Sequence, residues 1–182
     1  RDRSPSRGLG DVYKRQAKTV HHGFIGGLME HTLSVARLCD YMASAYPVIK
    51  RDMLITAALL HDVGKTRELS SFPLNDYTDE GQLLGHIIIG AQMIHDLIKE
   101  IPDFPLDLEN QLVHCILAHH GELEYGSPKK PAMIEAVALN LADNTDARME
   151  TLTEIFAADK SKKEWLGFNR IFESNLRKTG EW

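Results

Sequence analysis

His61 and Asp62 stand side by side in the run LLHDVGK, at the end of an apolar stretch. The period of that stretch turns His61 inward, and an ionised Asp62 buried beside it without a partner would carry a heavy desolvation penalty. A bound cation removes that penalty. Further along, Ala136, Leu139, Asn140, Asp143 and Asp146 follow an i, i+3, i+4, i+7, i+10 path, so two carboxylates share one inward stripe of a helix. His31 lies near Leu28 and Val35, on the apolar face of a third segment. Helical bundles gather imidazole and carboxylate ligands from facing helices into interior metal sites, and that is the chemistry these positions suit. Asp146 is placed to orient a ligand histidine through its distal N–H.

Such a site needs helices to carry it, and apolar periodicity predicts five. The first runs from Leu28 to Tyr46 and is stopped by Pro47; the second runs from Asp52 to Val63, with Gly64 as its stop signal. The third covers Gln82–Ile101 with Leu83, Ile87, Ala91, Ile94 and Ile98 facing inward. The fourth, Leu108–His120, ends at Gly121, a residue suited to the left-handed position after a helix. The fifth spans Ala132–Ala158. The 66–81 loop, holding Pro73, Asn75, Asp76 and Gly81, has room for a short hairpin. Residues 159–182 read as a helical tail packed through Trp165, Phe168 and Phe172, and the fold class is all-α. Residues 1–16 (RDRSPSRGLGDVYKRQ) show no period and read as an adaptor, an assembly scar or a disordered arm, set apart from a domain at 17–158.

Composition narrows the classes. With 43% hydrophobic and 26% charged residues the chain is ordinary for a globular domain, and no apolar run approaches the ~18 residues of a membrane span. The net charge of −5 argues against unaided electrostatic binding of nucleic acid. Cys39 and Cys115 fall in apolar helical stretches, as buried thiols of a cytoplasmic protein do.

The order His31, His61-Asp62, Asp143 resembles the HD superfamily of metal-dependent phosphohydrolases, and His86 with the pair His119-His120 resembles its two-metal subset. The segments HHGFIGGLMEHTLSV, LLHDVGKTREL, DEGQLLGHI, LAHHGELEYGSPKKP and LADNTDARME are similar to the HD domain of YhaM-type 3′-5′ exoribonucleases, over roughly Ala17 to Glu150. The resemblance implies an HD-domain helical bundle in which His31, His61, Asp62 and Asp143 hold one metal and His86, His119 and His120 a second. Asp62 would bridge them. Imidazole and carboxylate together suit manganese, iron, cobalt or zinc, with manganese favoured. Two such ions would activate water for phosphodiester hydrolysis, releasing 5′-nucleotides from the 3′ end of single-stranded RNA or short oligonucleotides. The family also implies an N-terminal OB-fold domain, which this chain is expected to lack, and a homo-oligomer is compatible with the reading.

Other residues enter around that centre. Lys65 would set an ammonium at the rim as a catalytic group beside Asp62. His22, which follows His21 just before Gly26-Gly27, is a candidate substrate contact, as are Ser127, Lys129 and Lys130 of the GSPKKP loop. His95 and His114 read as surface or packing residues, and Lys160, Lys162 and Lys163 as a solvated linker. Two alternatives stand beside the exoribonuclease reading: an HD phosphohydrolase acting on nucleotides or cyclic dinucleotides, and a non-catalytic HD signalling or interaction module.

Overall fold

The computed structural model describes residues 25–70, 74, 76–161 and 163–180. Residues 1–16, His21, His22 and Lys162 lie outside them. Six helices follow in order: α1 (Ile25–Ala45), α2 (Arg51–Leu60), the short α3 (Lys65–Glu68), α4 (Asp79–Ile98), α5 (Leu106–Ala118) and α6 (Ile134–Ala158). A 3-10 turn at Leu123–Tyr125 precedes α6, and an antiparallel hairpin of β1 (Trp165–Asn169) and β2 (Ser174–Arg177) follows it. Helix α1 packs on α2 and α6, α5 on α2, α4 and α6, and α3 on α4. None of the helices among the described residues is long and apolar enough to cross a membrane.

The core joins Val35, Cys39, Leu54, Ile94, Ile116 and Leu139 to a set of fully buried alanines: Ala57, Ala58, Ala118, Ala136 and Ala142. Small residues let the backbones of α2, α5 and α6 approach closely, and that approach brings their polar ends together around one interior site. Both cysteines are buried thiols, as their apolar setting predicts.

Three local expectations need correction. Leu83 is not inward but strongly exposed, because α4 is broken at Gly85, whose φ of 72° and ψ of 157° shift the phase of everything before it. Gly64 does not stop α2, which already ends at Leu60, and its φ of −61° is open to any residue. It is required for close approach, since a Cβ there would sit 2.0 Å from the His86 carbonyl oxygen. The C-terminal tail is a hairpin rather than helix. Trp165, Phe168 and Phe172 recur at three- and four-residue steps that mimic a helical stripe, while the turn between the strands carries Glu173 at positive φ with no Asn-Gly to announce it. The 66–81 loop does hold a strand-like pairing, the antiparallel bridge Leu69 to Tyr77.

Gly64→Ala should therefore destabilise the domain by about 3 kcal/mol, as overpacking against backbone does. The check is urea denaturation, where the midpoint falls and the slope stays constant. An unchanged midpoint would mean that the α3–α4 contact is not rigid.

Candidate metal centre

Two helix ends build the middle of the site by the same device. Helix α2 stops at Leu60, and His61 folds back so that its Nδ1 donates to the Ala58 carbonyl at 2.8 Å. Helix α5 stops at Ala118, and His119 donates from Nδ1 to the Ile116 carbonyl at 2.7 Å. Gly121, at φ 81°, then turns the chain away, and the Asn140 amide on α6 donates to the His119 carbonyl at 2.7 Å.

The other three imidazoles are held through the same atom. His120 Nδ1 donates to the Tyr125 carbonyl at 3.0 Å, and His31 Nδ1 to Asp146 Oδ2 at 2.7 Å. His86 Nδ1 meets Glu68 Oε1 at 3.2 Å, and that oxygen also accepts the His86 backbone N–H at 3.0 Å. The break at Gly85 makes the last contact available, because it leaves the His86 N–H outside the regular helical ladder. Every Nδ1 faces a carbonyl or carboxylate and carries the proton, so each ring in its neutral form presents Nε2 as a lone pair.

These lone pairs gather in two groups, His31, His61 and Asp143 on one side and His86, His119 and His120 on the other. Within each group the ligand-type atoms lie within 4.8 Å of one another. Asp62 stands between the groups with one oxygen toward each. Its Oδ2 is 3.4 Å from His61 Nε2 and 3.6 Å from His31 Nε2, while its Oδ1 is 3.5 Å from His86 Nε2 and 3.7 Å from His119 Nε2.

The electrostatics ask for cations. Among the described residues Asp62 Oδ1, His86 Nε2 and His119 Nε2 are buried without a hydrogen-bond partner, an arrangement that costs about 1–3 kcal/mol for each such group. In the other group His31 Nε2 and His61 Nε2 are 3.2 Å apart, two acceptors facing each other with nothing between them unless a proton or metal intervenes. Burial alone would lower the pKa of His31, but its hydrogen bonds to Asp143 and Asp146 outweigh it and hold it at about 9. His119 moves the other way, pushed well down by burial and then by its neighbours His120 and His61. Burial would raise Asp62, yet Lys65, His61 and His86 keep it well below the usual carboxylate range. The donor set contains no thiolate and is divided between imidazole and carboxylate, so it fits divalent transition metals better than magnesium or calcium.

Lys65 reaches Asp62 Oδ2 at 2.5 Å, and its side chain stays partly exposed. Ser127 is not a free substrate contact: it is buried, with Oγ 2.8 Å from the Leu117 carbonyl and 2.7 Å from that of Lys129, so its hydroxyl braces the loop. Lys130 pairs with Glu122 at 2.6 Å, and the charge of Lys129 acts on His114. Within the GSPKKP loop Ser127 and Lys130 thus have protein partners of their own, while His120 is oriented by the Tyr125 carbonyl just before it. His95, exposed, pairs with Glu109, and His114 accepts the Ala132 backbone N–H at 2.9 Å, the packing roles that helix geometry predicts. Ser34 donates to Asp146 on the oxygen that His31 leaves open.

The HD domain family matches residues 28–148. The chain belongs to the HD domain family. It is 44% identical over 139 residues to the 3′-5′ exoribonuclease YhaM of Bacillus velezensis, covering 75% of this chain and 43% of that protein. Against the 3′-5′ exoribonuclease YhaM of Bacillus subtilis the identity is 43% over 134 residues, 72% of this chain and 42% of that protein. The chain spans less than half the length of these relatives. No solved structure matches it significantly. In this HD domain the carboxylate that sequence reasoning passes over is Glu68. It stands inside the LLHDVGKTREL run, but nothing in the sequence says that the loop after α3 returns it to His86.

Removing that support should weaken one group selectively. Glu68→Ala is expected to lower metal affinity at His86, His119 and His120 by about 10–100-fold, as loss of an orienting partner does. Calorimetric titration with manganese checks it, and an unaltered isotherm would assign Glu68 to folding alone.

Proposed function

We propose that this HD domain is a metal-dependent phosphodiesterase, a 3′-5′ exoribonuclease domain releasing 5′-nucleotides from single-stranded RNA or short oligonucleotides in the cytoplasm. The observation that carries the reading is Asp62, one oxygen toward each of two ligand groups. His31, His61, Asp62 and Asp143 would hold one divalent ion and His86, His119 and His120 a second, with manganese favoured and iron, cobalt or zinc fitting the same donors. Ions held there would supply Lewis acidity for phosphodiester hydrolysis.

The chain's own groups do the rest. The five Nδ1 hydrogen bonds fix ring orientation before any ligand arrives, so little reorganisation is required. Asp146 and Glu68 keep His31 and His86 in the tautomer that offers Nε2. Lys65, partly exposed and already on Asp62, brings a positive charge to where a phosphodiester would enter.

The test is hydrolysis of a 5′-labelled oligoribonucleotide with manganese, run beside mononucleotides and a cyclic dinucleotide. Stepwise shortening from the 3′ end is expected. Release of phosphate from a mononucleotide, with the oligonucleotide untouched, would replace the exonuclease reading by that of a nucleotide phosphohydrolase.

A further inference from the structure

The C-terminal hairpin carries two large aromatic rings in water. Trp165 is 58% and Phe168 67% exposed, although aromatic side chains of this size usually find cover. Their positions three apart on one strand would place them on opposite faces of a regular sheet. The bulge between Trp165 and Gly167 cancels that alternation: Trp165 pairs with Arg177 and Phe168 with Asn175, and residues 175 and 177 share a face. Both rings therefore stand on one face of the ribbon, about 7 Å apart along the partner strand. The Arg177 guanidinium lies over the Trp165 ring, 5.9 Å from its centre. On the other side Leu166 and Leu176 are half covered, and Phe172 in the turn packs under Arg148 of α6. Arg148 is five residues from Asp143, about 7.5 Å along the helix axis.

Charge points to the occupant. Between residues 160 and 178 there are six lysines and arginines, Lys160, Lys162, Lys163, Arg170, Arg177 and Lys178, against two carboxylates, in a chain whose net charge is −5. Arg177 is paired with Glu164 and Lys178 with Asp159, but Lys163 and Arg170 are exposed beside the aromatic strand. Neighbouring rings on one face, flanked by cations in an otherwise acidic molecule, suit a polyanion whose bases have flat faces. An apolar peptide would use the rings but not the charge, and a second copy of this chain, though acidic, offers no run of flat bases to stack on them.

We infer that the Trp165–Phe168 face of the hairpin is a stacking platform for single-stranded nucleic acid, holding bases of the strand while its 3′ end is in the metal centre. The choice of strand rests on the exoribonuclease reading; the platform itself does not. It also gives the acidic domain a local nucleic-acid contact of its own.

The experiment compares the full chain with the double variant Trp165→Ala, Phe168→Ala. Affinity for a short labelled oligouridylate is read by fluorescence anisotropy, and turnover of bis(p-nitrophenyl) phosphate with manganese reports the metal centre alone. Oligonucleotide affinity is expected to fall roughly tenfold or more for each ring removed, with turnover of the small ester unchanged. In a Trp182→Phe background, the emission of Trp165 should be quenched by oligouridylate. Lys163→Ala with Arg170→Ala should flatten the salt dependence by about 0.7 in log–log slope for each phosphate that is no longer neutralised. Equal oligonucleotide affinity in the aromatic variant would overturn the platform, as would a change in sedimentation in place of a change in affinity, which would make the face a contact between copies. Failure of the wild-type chain to turn over the small ester would count against the hydrolase reading and leave the binding comparison intact.

Discussion

Asp62→Ala is expected to reduce phosphodiester hydrolysis by at least about a thousandfold and to drop metal content below one ion per chain. The size follows from what one side chain does for two ligand groups. Its oxygens are the only carboxylate atoms among the described residues placed 3.4–3.7 Å from imidazole Nε2 atoms of both groups. With ions held as proposed, its removal would take a negative donor from each group at once. Charge stabilisation of several kcal/mol is at stake, and about 1.36 kcal/mol corresponds to each tenfold in rate. The fold should tolerate the change, because the rings are held by Nδ1 contacts in which Asp62 takes no part. Lys65 loses its partner but is partly exposed and can turn to solvent. Metal analysis alongside the rate separates the possibilities. Retained activity with two ions per chain would remove Asp62 from the bridging position. A collapsed circular dichroism spectrum would mark the effect as structural, and Asp62→Asn, which keeps the shape, then repeats the test.

Chelation of metal from the wild-type chain should abolish hydrolysis and lower the melting temperature by about 8 °C. Ions that bind only the native state stabilise it by about 2.7 kcal/mol when present at a hundred times their dissociation constant, and each kcal/mol moves the melting point of a domain this size by a few degrees. The cost on removal arises at identifiable atoms. Asp62 Oδ1, His86 Nε2 and His119 Nε2 are left with no partner among the described residues, and His31 and His61 bring two acceptors together at 3.2 Å. The protonated His31 ring relieves only the second of these. Calorimetry before and after dialysis against a chelator, with manganese restored in a third scan, is the measurement. An unchanged melting point would show that the cluster is satisfied without metal.

The residues of the centre were legible because each combines an inward helical position with a side chain that is expensive to bury alone: His61 beside Asp62, and Asp143 on the stripe of Leu139. Asp146 was legible for the same reason, as the next carboxylate along that stripe. What could not be read depends on the return path of loops. Glu68 reaches His86 only because the chain after α3 doubles back, and the Tyr125 carbonyl reaches His120 only through a 3-10 turn. Ser127 looked available because a polar turn beside lysines is usually exposed, whereas here its hydroxyl is drawn inside by two carbonyls. Periodicity failed where the backbone left its helix, at Gly85, and in the tail, where apolar spacing alone does not separate a short bulged ribbon from a helix.

The twin arrangement of His61 and His119 has an electrostatic consequence of its own. Each ring caps the carboxyl end of a helix, and with the two rings 5.2 Å apart the carboxyl ends of α2 and α5 lie beside the same interior site. Each such end is equivalent to roughly half a negative charge. The peptide backbone thus contributes a fixed field that draws cations inward, one that no side-chain substitution removes and that ionic strength screens poorly at this depth.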